Sequence, residues 1–490
     1  MMFISLISLC ILTFGQEPPN RERIQKEMDR ALLDWQVPGA AMVLVGTGET
    51  DGVFVAGRRS LDSAEKVDPQ TIFPAASLSK AFTATMVSCL DLKGSLHWND
   101  PVIKWLDWYR PRDNQFIEPI RLWHLGSHTS GYPAHDLLFY RSGSTLEGVV
   151  EKLLKLPRFD APGRVYEYQT AQYYALALAA QNSAKVPWRD LVKQEVFQPL
   201  GVEGVIWSAA EAEKYQNRAH PHQVDEQNRV LKWGKAWADP RENPSGGLWL
   251  PVNQWSSWLR AQAGIDDSEK QNKKGLTKAI LETRVTRISQ ERVNQDRVFQ
   301  PEVANLGYGF GWVTMTYRGE AVLAHGGVVD GFRAFILVFP LRKQALIVLS
   351  NLDRTPFNHD LGYSVADMLL GVPPALWKNR LQKKQDDQIQ AKSTRLKMVE
   401  EKTKEWSGMP LDPIMIGQFV NPAYGLIELK ESKEGAWLTI FGRRVSLKRT
   451  GLDNFVFFDE MCADPELIFL RAGKSGSWHI GGRVTAEFVR

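Results

Sequence analysis

Cysteine is scarce in this chain, which has 3 cysteines among 490 residues. Cys10 lies in an apolar stretch at the N-terminus, whereas Cys89 and Cys462 lie far apart in the sequence. Two distant cysteines supply neither a disulfide framework nor the closely spaced ligands of a structural metal site. We therefore expect Cys89 and Cys462 to be unpaired thiols that are mostly buried.

A strong charge bias is also lacking. The 60 Lys and Arg residues nearly balance the 56 Asp and Glu residues, which gives a net charge of +4. The basic residues are spread along the chain rather than gathered in one stripe. Because nucleic-acid binding needs a concentrated basic surface, the sequence predicts no nucleic-acid partner.

Long apolar runs are absent beyond the N-terminus. The run MMFISLISLCILTFG, residues 1–15, is too short to span a bilayer comfortably, and its length is typical of a secretory signal. No Lys or Arg precedes it, so a buried N-terminal strand or helix is the alternative. We predict a signal peptide over 1–15, export to the periplasm or the extracellular space, and no stable membrane span.

The length of the chain indicates one large domain and a smaller one. Residues 16–375 have strand-like segments at both ends and helices between them, which predicts an α+β domain with a sheet assembled from distant segments. Residues 376–408 are highly charged and helix-prone, which predicts a helical linker. Residues 409–490 contain short segments in which apolar and polar residues alternate, and turn residues separate these segments. This pattern predicts a small antiparallel β-barrel or sandwich.

A serine three residues before a lysine occurs twice, at Ser63 with Lys66 and at Ser77 with Lys80. The spacing alone cannot distinguish a nucleophile with its base from two ordinary residues. Acidic and basic residues surround Ser63, which is typical of a loop, whereas alanines surround Ser77, as a buried site requires. In a helix that starts near Ser77, Lys80 lies one turn further on the same face. Burial would lower the lysine pKa, and the amine could then take the serine proton.

Three further segments carry residues suited to catalysis. RLWHLGSHTSGYP (121–133) contains two histidines, APGRVYEYQTAQYYALA (161–177) places tyrosines after a Pro-Gly turn, and LAHGGVVDGFRAF (323–335) has two adjacent glycines between likely strands. Adjacent glycines let a ligand approach the backbone closely. The spacing of His124 and His128 would also suit a metal hydrolase, but no Glu follows His124 as that motif requires.

Together, in this order, the four segments resemble the serine β-lactamase and penicillin-binding protein family, in its class C β-lactamase-like branch of esterases and D-amino-acid peptidases. The resemblance runs from about 23 to 371. The corresponding positions are Ser77 to Lys80, Ser127 to Pro133, Tyr168 to Thr170, and His325 to Gly327. It implies an antiparallel sheet flanked by helices, with a helical subdomain. Residues 416–429 resemble the opening of a lipocalin-like β-barrel found in many proteins of this branch.

The resemblance also implies a mechanism. Ser77 would form an acyl-enzyme that water hydrolyses, and Lys80 and Tyr168 would share the proton transfers, with Tyr168 acting as a phenolate or through Lys80. The backbone N–H groups of Ser77 and Val328 would form the oxyanion hole. The expected substrate-binding residues are Thr170, His325, Gly326 and Gly327. No metal and no cofactor is expected, and the partner is a small-molecule or peptide substrate.

Two positions depart from the family pattern. Thr170 stands where Asn is usual, and a hydroxyl offers less hydrogen-bonding capacity than an amide. His325 stands where β-lactamases usually have Lys, and a histidine that is mostly neutral at pH 7 attracts a β-lactam carboxylate less. Both departures favour a peptidase or esterase over a β-lactamase. A catalytically silent binding protein and a true β-lactamase are the alternatives, and Tyr166 is a second candidate for the general base. The oligomeric state is open.

Overall fold

The computed structural model describes residues 19–490 except 114, 226–228, 235, 266–270, 291–296, 433–434, 441–442, 459–466, 473–477, 482–485 and 490. The predicted signal peptide at 1–15 and Cys462 lie outside the described residues. Cys89 is a buried free thiol, as predicted, and burial raises its pKa to about 12. None of the described helices is long and apolar enough to cross a membrane.

The first part of the chain contains twelve described strands: β1 Gly39–Val45, β2 Gly52–Gly57, β3 Ile72–Pro74, β4 His222–Val224, β5 Val230–Lys232, β6 Trp249–Pro251, β7 Ile288–Ser289, β8 Val303–Tyr308, β9 Val313–Tyr317, β10 Glu320–Val329, β11 Phe332–Phe339 and β12 Gln344–Ser350. Eight of them form one antiparallel sheet in the order β2-β1-β12-β11-β10-β9-β8-β7. The N-terminal strands therefore pair with the last strand of the set, as the strand-like segments at both ends predict.

The described helices are α1 Arg21–Asp34, α2 Ser79–Leu92, α3 Leu122–Gly126, α4 Leu146–Leu153, α5 Thr170–Ala184, α6 Trp188–Val192, α7 Gln198–Leu200, α8 Ala209–Ala212, α9 Trp255–Ala263, α10 Gln271–Thr283, α11 Phe357–Leu370 and α12 Trp377–Glu405. Helices α1 and α11 cover one face of the large sheet, and α2 and α9 cover the other. Between β3 and β6 in sequence, α3 to α8 form a helical layer on the α2 side.

Successive side chains of the central strands point to opposite faces of the sheet, which explains why helices pack on both faces. In β1, Ala41 and Val43 face the α2 side, whereas Met42 and Leu44 face α1 and α11. All seven residues of β1 are buried, because a strand covered on both faces is apolar on both. The predicted antiparallel sheet with flanking helices is thus confirmed.

The linker helix α12 packs at both of its ends. Trp377 and Leu381 are buried against the α1 and α11 face of the sheet. Near the other end, Val399 packs against Val456 of the C-terminal part. A highly charged helix of this kind has little stability of its own, so tertiary packing at its two ends stabilises it.

The C-terminal part is a second antiparallel sheet of eight strands in chain order: β13 Gly417–Asn421, β14 Gly425–Ser432, β15 Gly435–Ile440, β16 Arg443–Arg449, β17 Asn454–Phe458, β18 Leu467–Ala472, β19 Trp478–Gly481 and β20 Ala486–Phe488. The sheet curls, and two backbone hydrogen bonds between Val420 and Val489 join its first strand to the residue after its last. The predicted small β-barrel agrees with this curled sheet, and its likeness to lipocalins stays a prediction.

Candidate active site

Ser77 lies at the junction of β3 and α2. It is half-buried, and it belongs to a single helical turn over Ala76–Leu78 that precedes α2 rather than to α2 itself. Ala76 has a φ of +48°, a left-handed conformation that costs about 1–2 kcal/mol for a residue with a side chain. Strain of this kind persists where the surroundings fix the backbone, and here it lies directly before the candidate nucleophile.

Lys80 is fully buried, and its amine faces the serine. Its Nζ lies 3.2 Å from the Ser77 Oγ and donates a hydrogen bond of 2.9 Å to the Ser245 carbonyl oxygen. Burial lowers the pKa of Lys80 to about 7, and the nearby Asp136 carboxylate opposes this decrease. A large fraction of the amine is therefore neutral near pH 7, so it can accept the proton of Ser77.

Tyr168 completes the group. Its side chain is hydrogen-bonded with Ser77, and the Lys80 Nζ lies 4.8 Å from the centre of its ring. Burial raises the pKa of Tyr168 above its usual value, and the hydrogen bond with Ser77 opposes this only in part. Of the two expected routes for Tyr168, this electrostatic setting disfavours a preformed phenolate and favours a phenol that acts through Lys80.

The competing residues lie elsewhere. Tyr166 is buried with its ring 5.4 Å from the ring of Tyr308. Ser63 lies in an irregular segment, where its Oγ accepts a hydrogen bond of 3.1 Å from the backbone N–H of Glu65. Geometry therefore favours Tyr168 over Tyr166, and Ser77 over Ser63, as candidates for the catalytic groups.

Strand β10 forms the second wall of the site. A two-residue turn joins β10 to β11, so Val329 and Phe332 form a hydrogen-bonded pair across the hairpin. Every second residue of β10 before Val329 likewise directs its backbone N–H and C=O groups towards β11. The backbone N–H and C=O groups of Gly326 and Val328 consequently point away from β11, towards the side of β10 where β9 lies. There β9 pairs with β10 only over Glu320–Ala324, so the described sheet leaves this edge open. An extended substrate could add to the open edge, and the N–H of Val328 is available to an oxyanion.

The two glycines of β10 face opposite sides of the sheet. A Cβ on Gly327 would lie 2.9 Å from the Ala75 carbonyl oxygen and 3.0 Å from the Ala76 Cβ, so only glycine fits against the turn that holds Ser77. A Cβ on Gly326 would meet no atom within 4 Å, because Gly326 borders a cavity of about 170 Å³ behind the strand. Gly327 thus fixes the distance between β10 and the nucleophile.

His325 is held as a neutral side chain. Its Nδ1 lies 2.7 Å from the Gly326 carbonyl oxygen, so this nitrogen carries the proton, and its Nε2 accepts a hydrogen bond of 3.0 Å from the Tyr308 hydroxyl. Burial, with the nearby charge of Lys80, lowers the pKa of His325 to about 4. The histidine therefore offers no cation to a substrate carboxylate at neutral pH.

Thr170 is the half-buried first residue of α5, two residues after Tyr168. The preceding residue, Gln169, caps the helix by accepting a hydrogen bond from the N–H of Ala171. The position suits a contact with substrate beside Tyr168, and the binding role expected for Thr170 stays a prediction.

The sequence reasoning assigned no role to the loop that supports Lys80, residues 243–247. Asn243 Oδ1 accepts hydrogen bonds from both the N–H and the hydroxyl of Ser245, at 2.9 and 2.7 Å. The Nδ2 of Asn243 donates to the Tyr174 hydroxyl at 3.1 Å. The loop aims the Ser245 carbonyl at Lys80, and its Asn-Pro-Ser-Gly-Gly sequence also resembles the family pattern. Asp136, whose carboxylate acts on both Lys80 and Tyr168, was missed as well.

The two histidines considered for a metal hydrolase have other partners. His124 Nδ1 accepts a hydrogen bond of 2.8 Å from the N–H of Arg121, and His128 Nδ1 accepts one of 3.2 Å from the N–H of Gln169. Among the residues that the structure describes, no group of three or more potential ligands could hold a metal ion. Both histidines thus hold backbone segments in place.

Comparison with known proteins bears on the family and the fold of this chain. The Beta-lactamase family model matches residues 21–369. A curated relative, Unguisins hydrolase ungD of Aspergillus violaceofuscus (strain CBS 115571), is 25% identical in an alignment 384 residues long, which covers 71% of this chain and 65% of the relative. The chain thus spans less than two thirds of that relative's length.

Two solved structures share the fold. The octameric penicillin-binding protein homologue from Pyrococcus abyssi has a TM-score of 0.63 and 19% identity, and the likeness covers 95% of this chain and 99% of the other. The D-stereospecific amidohydrolase from Streptomyces sp. has a TM-score of 0.57 and 18% identity, over 72% of this chain and 100% of the other. Since the family model matches well over half of its residues, this chain belongs to the Beta-lactamase family.

Proposed function

We propose that this protein is a serine hydrolase that forms an acyl-enzyme on Ser77 and cleaves an amide or ester. The observation that carries the proposal is the buried Lys80 amine, 3.2 Å from the Ser77 Oγ, with a pKa lowered to about 7. A serine hydroxyl becomes a useful nucleophile when such a base is within hydrogen-bond reach. The Lys80 environment makes a catalytically silent binding protein the weaker candidate.

The reaction has two half-steps. Ser77 Oγ attacks the substrate carbonyl as its proton passes to Lys80, and the N–H groups of Ser77 and Val328 bind the resulting oxyanion. Tyr168 donates its phenolic proton to the leaving amine or alkoxide and regains a proton from Lys80, so the acyl-enzyme forms with no net change in protons. Water then attacks the ester by the reverse proton path and releases the acid.

An amide or ester suits this site better than a β-lactam. The family often meets a β-lactam carboxylate with a lysine, and His325 is neutral at pH 7 because its pKa is lowered to about 4. The named relatives are described as a hydrolase and a D-stereospecific amidohydrolase, which is consistent with amide substrates. A true β-lactamase is the second candidate.

Covalent labelling tests the nucleophile. The full-length protein is treated with an activated phosphonate and analysed by intact-mass spectrometry, alongside Ser77→Ala and the matched control Ser63→Ala. We expect a single adduct in the wild type and in Ser63→Ala, and none in Ser77→Ala. An adduct that persists in Ser77→Ala would overturn the assignment of Ser77.

We also propose that the protein is exported. The apolar run at residues 1–15 supports this. N-terminal sequencing of protein recovered outside the cytoplasm would show a start after this run, whereas recovery of the intact N-terminus inside the cell would contradict export.

A further inference from the structure

The cavity of about 170 Å³ behind β10 lies on the face of the sheet that α11 covers. Its walls include apolar side chains from four neighbouring strands, β8 to β11: Leu306, Val313, Met315, Ala324 and Phe335. Gly326 borders the cavity from β10. Ser77 lies on the opposite face of β10, where the turn that holds it packs against Gly327. The cavity and the nucleophile are therefore on the two sides of one strand.

The cavity lies where β9 separates from β10. In the described part of the chain, the last pair between these two strands is Val313 with Ala324. Just before β9, Gly311 has a φ of +77° and lies against α2, where a Cβ on Gly311 would be 2.8 Å from the Ala81 Cα. The chain that leads into β9 is thus turned away from β10 towards α2. Gly326, two residues beyond Ala324, is exposed at the edge that β9 leaves open.

The pairing fixes the register of an extended substrate on this edge. Val328 directs both its N–H and its C=O to the edge, and only an antiparallel chain lets one residue bond to both groups. When the scissile carbonyl accepts from the Val328 N–H, the substrate residue that carries this carbonyl lies opposite Val328. Because the two chains run in opposite directions, the second residue after the scissile carbonyl lies opposite Gly326. That residue belongs to the leaving part of the substrate.

The pairing also fixes the face to which each substrate side chain points. Directly paired residues of neighbouring strands point their side chains to the same face of the sheet. An L-residue opposite Gly326 therefore points to the α11 face, where the cavity lies. A Cβ on Gly326 itself would meet no atom within 4 Å, so β10 leaves this space open. A D-residue at the same position would point to the face of Ser77 instead.

The size and the lining of the cavity suit an apolar group as large as a phenyl ring. An apolar cavity of about 150 Å³ is known to hold benzene, so about 170 Å³ is sufficient. The ring of His359 packs on the ring of Phe335, with 4.3 Å between their centres. No Asp, Glu, Lys or Arg is among the described residues that line the cavity. An apolar side chain is therefore favoured there over a carboxylate or an ammonium group.

We propose that this cavity is a substrate subsite, which binds an apolar L-side chain on the second residue after the scissile carbonyl. The substrate class is then an extended peptide, or an ester of similar length, whose leaving part carries an aromatic or large aliphatic residue at that position. This inference rests on the proposed serine hydrolase function. It places one determinant of substrate selection on the face of β10 opposite to Ser77.

Protection of Ser77 from the activated phosphonate tests the subsite, whether or not a peptide is cleaved. N-acetyl-alanyl-glycyl peptide amides that end in L-phenylalanine, D-phenylalanine or glycine are compared on the full-length protein, each with D- and with L-alanine. We expect the L-phenylalanine peptide to halve the labelling rate at a concentration at least about tenfold lower than the other two. Equal protection by the three peptides, or protection by none, would overturn the subsite.

Filling the cavity should remove this preference. Val313 is half-buried in the cavity wall, so Val313→Phe places a ring in the cavity, and Leu306→Phe does the same from β8. We expect either variant to bring the L-phenylalanine and glycine peptides within about twofold of each other. The control Val55→Phe changes a half-buried valine of β2, at the far edge of the same sheet, and should keep the wild-type preference. Thermal unfolding identifies the folded variants, and a preference that survives in them would contradict the subsite.

Moving the aromatic side chain by one residue tests the register. In N-acetyl-alanyl-phenylalanyl-glycine amide the ring points to the face of Ser77, so Val313→Phe should weaken its protection no more than that of the glycine peptide. Greater weakening would show that the register is wrong. Labelling without peptide separates the two proposals, because its absence at Ser77 overturns the hydrolase proposal itself. Labelling with unselective protection overturns the subsite alone.

Discussion

Two segments of this chain have the same Ser-x-x-Lys spacing and opposite environments. At Ser63 the segment is irregular, Lys66 is exposed, and the serine oxygen accepts a hydrogen bond from a backbone N–H. At Ser77 the serine lies in the turn just before α2, and Lys80, in the first turn of α2, is buried beside it. Burial and backbone geometry, rather than the spacing, therefore make a lysine able to act as a base.

Replacing each serine in turn is the most direct test of this difference between Ser77 and Ser63. Ser77→Ala should lower kcat/KM on an activated ester by at least about 10⁴-fold, because the acyl-enzyme can no longer form. Ser63→Ala should remain within about twofold of the wild type. Steady-state kinetics on both variants decides the point, and comparable losses in the two would contradict the assignment.

Removing each lysine gives the next largest effect. Lys80→Met leaves Ser77 without its base, so kcat should decrease by about 10³-fold, within the usual range for general-base catalysis. The same change at the exposed Lys66 should have no effect on kcat. Burst kinetics with an activated ester separates acylation from deacylation. If Lys80→Met keeps a fast burst, another group takes the serine proton.

The pH dependence should show the lowered pKa of Lys80. Its ordinary value is 10.5, and burial brings it to about 7, so the amine is protonated and inactive as a base below neutrality. We therefore expect kcat/KM to decrease as the pH decreases through 7, approaching tenfold per unit, or about 100-fold by pH 5. A profile measured from about pH 5 to 9 checks this, and a flat profile across neutrality would contradict Lys80 as the base.

Much of this site could be predicted because its residues carry local signals. The small residues around Ser77, the Pro-Gly turn before Tyr168 and the paired glycines after His325 each restrict the backbone within a few positions. The antiparallel sheet could also be predicted, since the strand-like segments of β1 and β12 are apolar on both faces. The resemblance to a known family then supplied the roles that local pattern alone could not.

The remaining features depend on long-range contacts. Nothing near His135 in the sequence indicates that Tyr424 would bond to it. The left-handed Ala76 is equally hidden, because alanine rarely adopts this conformation and its surroundings impose it. These features depend on how each residue is placed relative to distant strands and loops. A short stretch of sequence carries no information about that placement.

The same contrast of identical residues in different environments recurs at Gly326 and Gly327, where we expect the smallest effect. Gly327→Ala places a methyl group 2.9 Å from the Ala75 carbonyl oxygen and 3.1 Å from the Ala334 Cβ, so β10 must shift away from the Ser77 turn. The free energy of unfolding should decrease by about 1–3 kcal/mol, and kcat should decrease about tenfold as the Val328 N–H leaves the oxyanion. Gly326→Ala points into the cavity behind the strand and should remain within about 0.5 kcal/mol and twofold in kcat. Urea unfolding measures the stability of the two variants, and steady-state kinetics measures their kcat. Equal losses of stability and kcat in the two variants would show that β10 tolerates a side chain on neither face. Gly327 would then not be the specific contact that sets the distance to the nucleophile.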